Sequence, residues 1–224
     1  MGVVGLLDDV TRRVAPAFRG PGDVVGVLGA LQPGLGGSAY AELAGSEPDD
    51  RPPAIDLEAH RALLALLVDA ARDGLLLSAQ DVSGGGLAVA SPSAASGGRG
   101  GGPAARVGRP ARDGAVREGP GRVVVSASPE GWSRLVSLAG GRGVPIERLG
   151  ETAGDRLCIQ LAGAGAIGLL EERGSARVDL LDAAVGVLRE AWLAGLPHAL
   201  GDDDWRATPG TTGPTSAIER GQPV

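Results

Sequence analysis

Residues 80–86 read Gln-Asp-Val-Ser-Gly-Gly-Gly, so a carboxylate and a hydroxyl stand directly before three consecutive glycines. That order of residue types has two chemical uses. Glycines let backbone approach a ligand closely, and successive N–H groups ahead of a helix start favour an anion. The neighbouring carboxylate could hold Mg2+, which takes few protein carboxylates and completes its shell with phosphate oxygens and water. Equally, Asp81 could cap a plain strand-to-helix turn. The stretch fits neither G-x-x-x-x-G-K nor G-x-G-x-x-G, so its spacing does not choose between these readings. The candidate ligand-binding residues are Asp81, Ser83, Gly85 and Gly86, with Asp81 the candidate Mg2+ ligand. The two histidines, His60 and His198, lack metal-like spacing to each other and read as surface or structural residues.

Composition removes several alternatives. All 21 basic residues are Arg, Lys and Asn do not occur, and the net charge is −6. A GC-rich gene accounts for that bias, and the negative charge argues against a phosphate-backbone binder. The single Cys158 excludes an intrachain disulfide and a cysteine metal cluster; its alternating surroundings suggest a small buried apolar group. Apolar runs stay far below the ~20 residues of a membrane helix. The N-terminus turns acidic without a basic region, unlike a secretory signal, and Leu6 stands where a myristoylation site wants Ser or Thr. A cytoplasmic protein is expected.

The elements that must position the glycine stretch follow from periodicity. "GVVGLLDD" (2–9) and "GDVVGVLGA" (22–30) read as buried strands. Ser38 could cap a short helix. Residues 56–73 carry the clearest helix: Asp56 is its N-cap, Gly74 its stop, and Leu57, Leu63, Leu64, Leu67, Ala70 and Ala71 lie about one face, with His60 on the polar side. "LLLSA" (75–79) then reads as the strand that feeds Asp81. Residues 91–121 show no sustained period and are rich in Gly, Pro and Arg, which predicts a long disordered loop. Beyond it come a strand at 122–127, a helix opening at Pro129, two strands in "VPIERLGE" and "DRLCIQL", and a helix over 179–196 capped by Asp179. From Gly201 a polar, disordered tail is expected. This order predicts an α+β domain, a mixed sheet covered by helices.

A resemblance sharpens the reading. "SAQDVSGGGLAVA" (78–90) is similar to the S-A-H-D-V-S-D-G-G-L-A-V-A motif of the phosphoribosylformylglycinamidine synthase family, PurL. "LGGSAYAEL", "RPPAIDLEAHRALLALLVDAARDGLLLSA", "EGPGRVVVSASPE", "GVPIERLGETAGDRLCI" and "LREAWLAGLPHALG" resemble further family segments in the same order. The resemblance spans residues 3–201 apart from the middle of the 91–121 loop. It adds Gly36, Gly37, Ser38 and Tyr40 as a secondary motif and implies a PurM C-terminal-domain-like fold. It implies three divisions: residues 1–21 closing a preceding PurM N-terminal-like domain, 22–200 forming an AIR synthase-related C-terminal domain, and 201–224 a tail. The implied reaction is the ATP-dependent conversion of formylglycinamide ribonucleotide to the amidine in purine synthesis. ATP and Mg2+ are the implied cofactors, and a glutaminase subunit, PurQ, and a small subunit, PurS, the implied partners. Gln80 stands where the family motif has His, and Gly84 where it has a second Asp. The family's ATP-binding residues belong to N-terminal domains that this sequence does not match. The expectation is therefore a domain inactive alone; the alternative is a non-catalytic remnant or interaction module of the same fold.

Overall fold

A five-residue run, Val24–Leu28 (β1), is buried from end to end and lies in the interior of the sheet in the computed structural model. The structure describes residues 5–30, 35–44, 53–96, 105–108, 116–161 and 178–201. The chain divides into two compact units, Met1–Arg189 and Glu190–Val224. The first holds the sheet.

The further strands are Ser78–Asp81 (β2), Ala105–Gly108 (β3), Val123–Ala127 (β4), Ile146–Thr152 (β5), Arg156–Leu161 (β6) and Val178–Ala184 (β7). Their order across the sheet is β2-β4-β1-β5-β3-β6-β7. Every pairing is antiparallel except β3 with β6. The sheet is thus mixed, as the sequence predicts. Side chains alternate across it with the strand period of two. Val25, Val27 and Val124 join Leu87, Ala90 and Ala94 in one cluster. Leu28 and Val125 join Leu63, Leu66, Leu135 and Ala139 in the other.

Leu87–Ser96 (α3) therefore covers one face, while Leu57–Arg72 (α2) and Pro129–Gly141 (α4) cover the other. Asp56 and Ser38 cap where the sequence places them, and α4 gains a cap from Ser128, just ahead of the expected Pro129. Asp56 accepts from the Glu58 and Ala59 amides at 3.0 Å each, and Ser128 accepts from the Gly131 amide, with Pro129 opening the helix. A short helix, Ala39–Ala44 (α1), begins with the Ser38 hydroxyl accepting from the Ala41 amide at 3.2 Å. Gly26 leaves room for the Trp132 ring to lie against β1.

Several expectations are corrected. Of the first predicted strand, the described residues 5–9 form none; a 3-10 turn at Val10–Arg12 follows, and Leu6 and Leu7 are exposed. On α2, Leu57 and Leu64 are 74% and 51% exposed, while Leu66 is fully buried, so the core stripe is rotated from the predicted one. The strand after α2 begins at Ser78, with Leu75 and Leu76 buried in the turn before it. The stretch from 91 is helix up to Ser96 despite Pro92, and β3 lies within the predicted loop. Residues 97–104 and 109–115 of that loop, and 202–224 of the predicted tail, lie outside the described residues. Asp179 caps no helix, because residues 178–184 pair with β6; the last helix is Val185–Ala199 (α5). Cys158 is only half-buried, its thiol 3.2 Å from an Asp182 carboxylate oxygen. In the second unit, Trp192 and Leu193 of α5 are exposed.

Asp23, just before β1, carries a pH prediction. Burial pushes its carboxyl above the ordinary carboxylate range, against the opposing pull of the Gly20 amide and Arg19. One carboxylate oxygen is enclosed without a hydrogen-bond partner. A folded carboxyl that protonates more readily than the unfolded one adds stability as pH falls through its folded value and withdraws it as pH rises past it. Asp23→Asn is therefore expected to raise Tm at pH 7. The difference from wild type should vanish below about pH 3.9, where both states of the wild type are protonated. Thermal melts across that range check the sign; an Asn variant that is less stable at pH 7 would refute it.

Candidate functional site

β2 ends at Asp81, whose neighbours across the ladder are on β4. The Val82 amide then donates to the Arg122 carbonyl at 3.0 Å, which carries the chain one step past the sheet. Ser83 and Gly84 are exposed, and the turn closes with the Gly86 amide donating to the Ser83 carbonyl at 3.0 Å. Gly85 and Gly86 have φ of +80° and +66°, a region that costs other residues strain, so the glycines here make the turn that starts α3.

The turn borders a cleft of about 650 Å³. Leu63, Leu64 and Leu67 of α2 form an apolar wall. Asp81, Ser83, Gly84 and the segment Glu118–Arg122 bring polar groups. Asp81 is exposed, and its carboxylate accepts from the Gln80 amide nitrogen at 2.8 Å. The residue that departs from the family's His thus clamps the carboxylate instead. Arg122 is 4% exposed, and one of its guanidinium nitrogens donates to the Arg117 carbonyl. Burial and the nearby Arg117 charge push its pKa below the ordinary arginine value.

Of the predicted residues, Asp81 and Ser83 line the cleft. Gly85 and Gly86 shape the turn behind it. Gly36, Gly37, Ser38 and Tyr40 do not line it; Gly36 and Ser38 are buried, and Gly37 takes φ of +70°. Two residues were missed. His60 lines the cleft instead of facing solvent with the polar side of α2, and its Nδ1 is enclosed without a hydrogen-bond partner. Glu118 accepts from the Gly85 amide at 2.7 Å and the Ala39 amide at 2.8 Å. His60 could have been found from its place one turn before Leu64 in the helix. Glu118 opens the family-like segment "EGPGRVVVSASPE", a signal that marked the stretch but not this side chain, which sits at the end of the predicted loop. His198, by contrast, is exposed as expected.

For Mg2+, the donor set is sparse. Among the described residues, no group of three His, Cys, Asp or Glu side chains could hold a metal ion. Asp81 therefore fits Mg2+ only as one carboxylate beside phosphate oxygens and water, the manner in which this ion accompanies nucleotides.

A family model described as "AIR synthase related protein, C-terminal domain" matches residues 20–160, and the chain belongs to that family. Among curated relatives, it is 43% identical over 161 residues to the phosphoribosylformylglycinamidine synthase subunit PurL of Thermobifida fusca, covering 71% of this chain and 21% of that one. The PurL of Anaeromyxobacter sp. (strain Fw109-5) is 37% identical over 214 residues, 91% of this chain and 26% of that one. The chain thus spans about a quarter of the length of the curated relatives it matches. In fold, it is similar to Thermotoga maritima PurL. The structure of that protein complexed with FGAR superposes with a TM-score of 0.60 at 19% identity, covering 80% of this chain and 30% of that one. The ATP complex gives 0.59 at 17% identity, covering 80% of this chain and 28% of that one. No helix among the described residues is long and apolar enough to cross a membrane.

Proposed function

We propose that this chain is the C-terminal domain of a phosphoribosylformylglycinamidine synthase and that it supplies the cleft beside Asp81 as a ligand-contacting wall. In this reading residues 22–200 are the domain, residues 1–21 close a preceding one, and 201–224 are a tail. The observation that carries the reading is the placement of Asp81 and Ser83 on one cleft, at the end of the β2–β4 pairing on the sheet edge, with a positive-φ glycine turn behind them. The whole reaction is the ATP-dependent conversion of formylglycinamide ribonucleotide to its amidine in purine synthesis, with ammonia from a PurQ glutaminase and with PurS; the similar Thermotoga maritima protein is also seen in a PurLQS assembly. The setting is cytoplasmic. When bound, Mg2+ with ATP would neutralise phosphate charge during phosphoryl transfer. This chain's part is to orient: Asp81 offers a carboxylate that accepts a hydrogen bond from Gln80, and the glycine turn gives the ligand close access to backbone.

Calorimetry with Mg-ADP and with formylglycinamide ribonucleotide tests this. Asp81→Ala is expected to weaken binding about tenfold to a hundredfold, the value of one charge-assisted hydrogen bond. Unchanged affinity would move the ligand away from this cleft. The chain alone is expected to show no substrate-dependent ATP hydrolysis, and turnover would overturn that part of the reading.

A further inference from the structure

We infer that Glu118 is a positioning residue that locks the 83–86 turn to the Gly36–Tyr40 turn, so that the second turn acts on the cleft without touching its occupant. The inference rests on the cleft being the ligand site. A single carboxylate oxygen accepts from the amides of Gly85 and Ala39, at 2.7 and 2.8 Å. Both bonds are at the short end for N–H···O contacts, as charge-assisted bonds are. The donors belong to different elements, 33 and 79 residues from Glu118 in the chain. Each lies near the start of a helix, where backbone N–H groups have no partner within the helix.

Neither turn needs Glu118 for its own closure. Ser38 already caps α1 through the Ala41 amide, and the Ser83 carbonyl already takes the Gly86 amide. The Glu118 bonds are therefore a long-range tie added to two locally complete turns. Glu118 itself is held by its place just ahead of β4, where the Arg122 carbonyl takes the Val82 amide. It also lines the cleft beside Ser83 and Gly84. A shift in either turn thus passes to the cleft mouth through one side chain. The motif at Gly36–Tyr40, which does not itself line the cleft, acquires a role by this route.

The test uses the full chain with Glu118→Ala and Glu118→Gln. Gln retains an oxygen that can accept both amides; Ala does not. In Glu118→Ala, hydrogen exchange at Gly85 and Ala39 is expected to accelerate together by about tenfold or more, while amides of Val25 and Val125 keep their protection. The Kd for Mg-ADP should rise about tenfold, and Glu118→Gln should restore both readouts to within about threefold of wild type. Should the Ala variant fail to fold, Glu118→Asp, one methylene shorter, is expected to give the same paired loss. Exchange that changes at neither amide, or at one alone, overturns the inference. So does tighter Mg-ADP binding by Glu118→Ala, which would mean that the carboxylate competes with the ligand for these amides. Absence of Mg-ADP binding by the wild type would defeat the functional reading, and the paired exchange would still decide the role of Glu118.

Discussion

Gly29→Ala is expected to destabilise the fold by about 2–5 kcal/mol and to deform the cleft. Gly29 follows the last residue of β1 with φ of +95°, and its amide donates to the Pro145 carbonyl at 2.9 Å. A Cβ at this position would overlap the carbonyl oxygen of Gly121 well inside van der Waals contact, and that oxygen is backbone that cannot rotate away. Two costs add: roughly 1–2 kcal/mol for a non-glycine residue in left-handed backbone, and about 1–3 kcal/mol for overpacking. Gly121 belongs to the cleft wall, as does Glu118 three residues earlier, so relief of the overlap has to move the site. Gly22→Ala separates the terms. Gly22 has φ of +89° and open space where a Cβ would stand, so it should cost about 1–2 kcal/mol from strain alone. Urea denaturation of both variants measures the gap. Equal losses would show that the 119–122 segment gives way freely and that the cleft wall is not fixed by β1.

The elements that were legible in the sequence are those whose signal is local. β1 is a continuous apolar run and β4 a largely apolar one, while α2 announces its cap in Asp56 and α4 its start in Pro129. The elements that were not legible draw their stability from partners. β3 is only "ARVG", and it is a strand because β5 and β6 present free edges on either side of it. Consequently the two strands expected to be joined by a turn are separated in the sheet by a segment of the expected loop. "VDLLDAA" has helix-like spacing and a good N-cap in Asp179, yet β6 captures it as β7. Tertiary pairing here overrides propensity, the usual fate of short ambiguous segments. The site divides the same way. Asp81, Ser83 and the glycines were visible because their types are contiguous. Glu118 and His60 were not, because what matters about each is what the fold sets beside it.

Gln80→His together with Gly84→Asp is expected to strengthen Mg-ADP or formylglycinamide ribonucleotide binding by about tenfold to a hundredfold per restored group. The two positions are where this chain departs from the motif it resembles, and the structure shows room for a side chain at Gly84. Gly84 is exposed, lacks a positive φ, and a Cβ there meets nothing within 4 Å, so an aspartate enters without strain. Gln80 is half-buried at the end of β2, with its amide nitrogen 2.8 Å from the Asp81 carboxylate. A histidine could keep that contact as a donor and, unlike the amide, could also take up a proton. The gain should therefore carry a pH dependence absent from wild type, growing as pH falls toward the ordinary imidazole value of about 6.5. Each single variant should show part of the gain, and only the variants that include Gln80→His should show the pH dependence. Calorimetry between about pH 6 and 8, the range in which an imidazole titrates, reads both effects. Tight, pH-independent binding by the wild type would show that the Gln80–Asp81 clamp does the work of the replaced groups. Failure of wild type and double variant alike to bind either ligand would take the nucleotide out of this cleft and leave the interaction-module reading in its place.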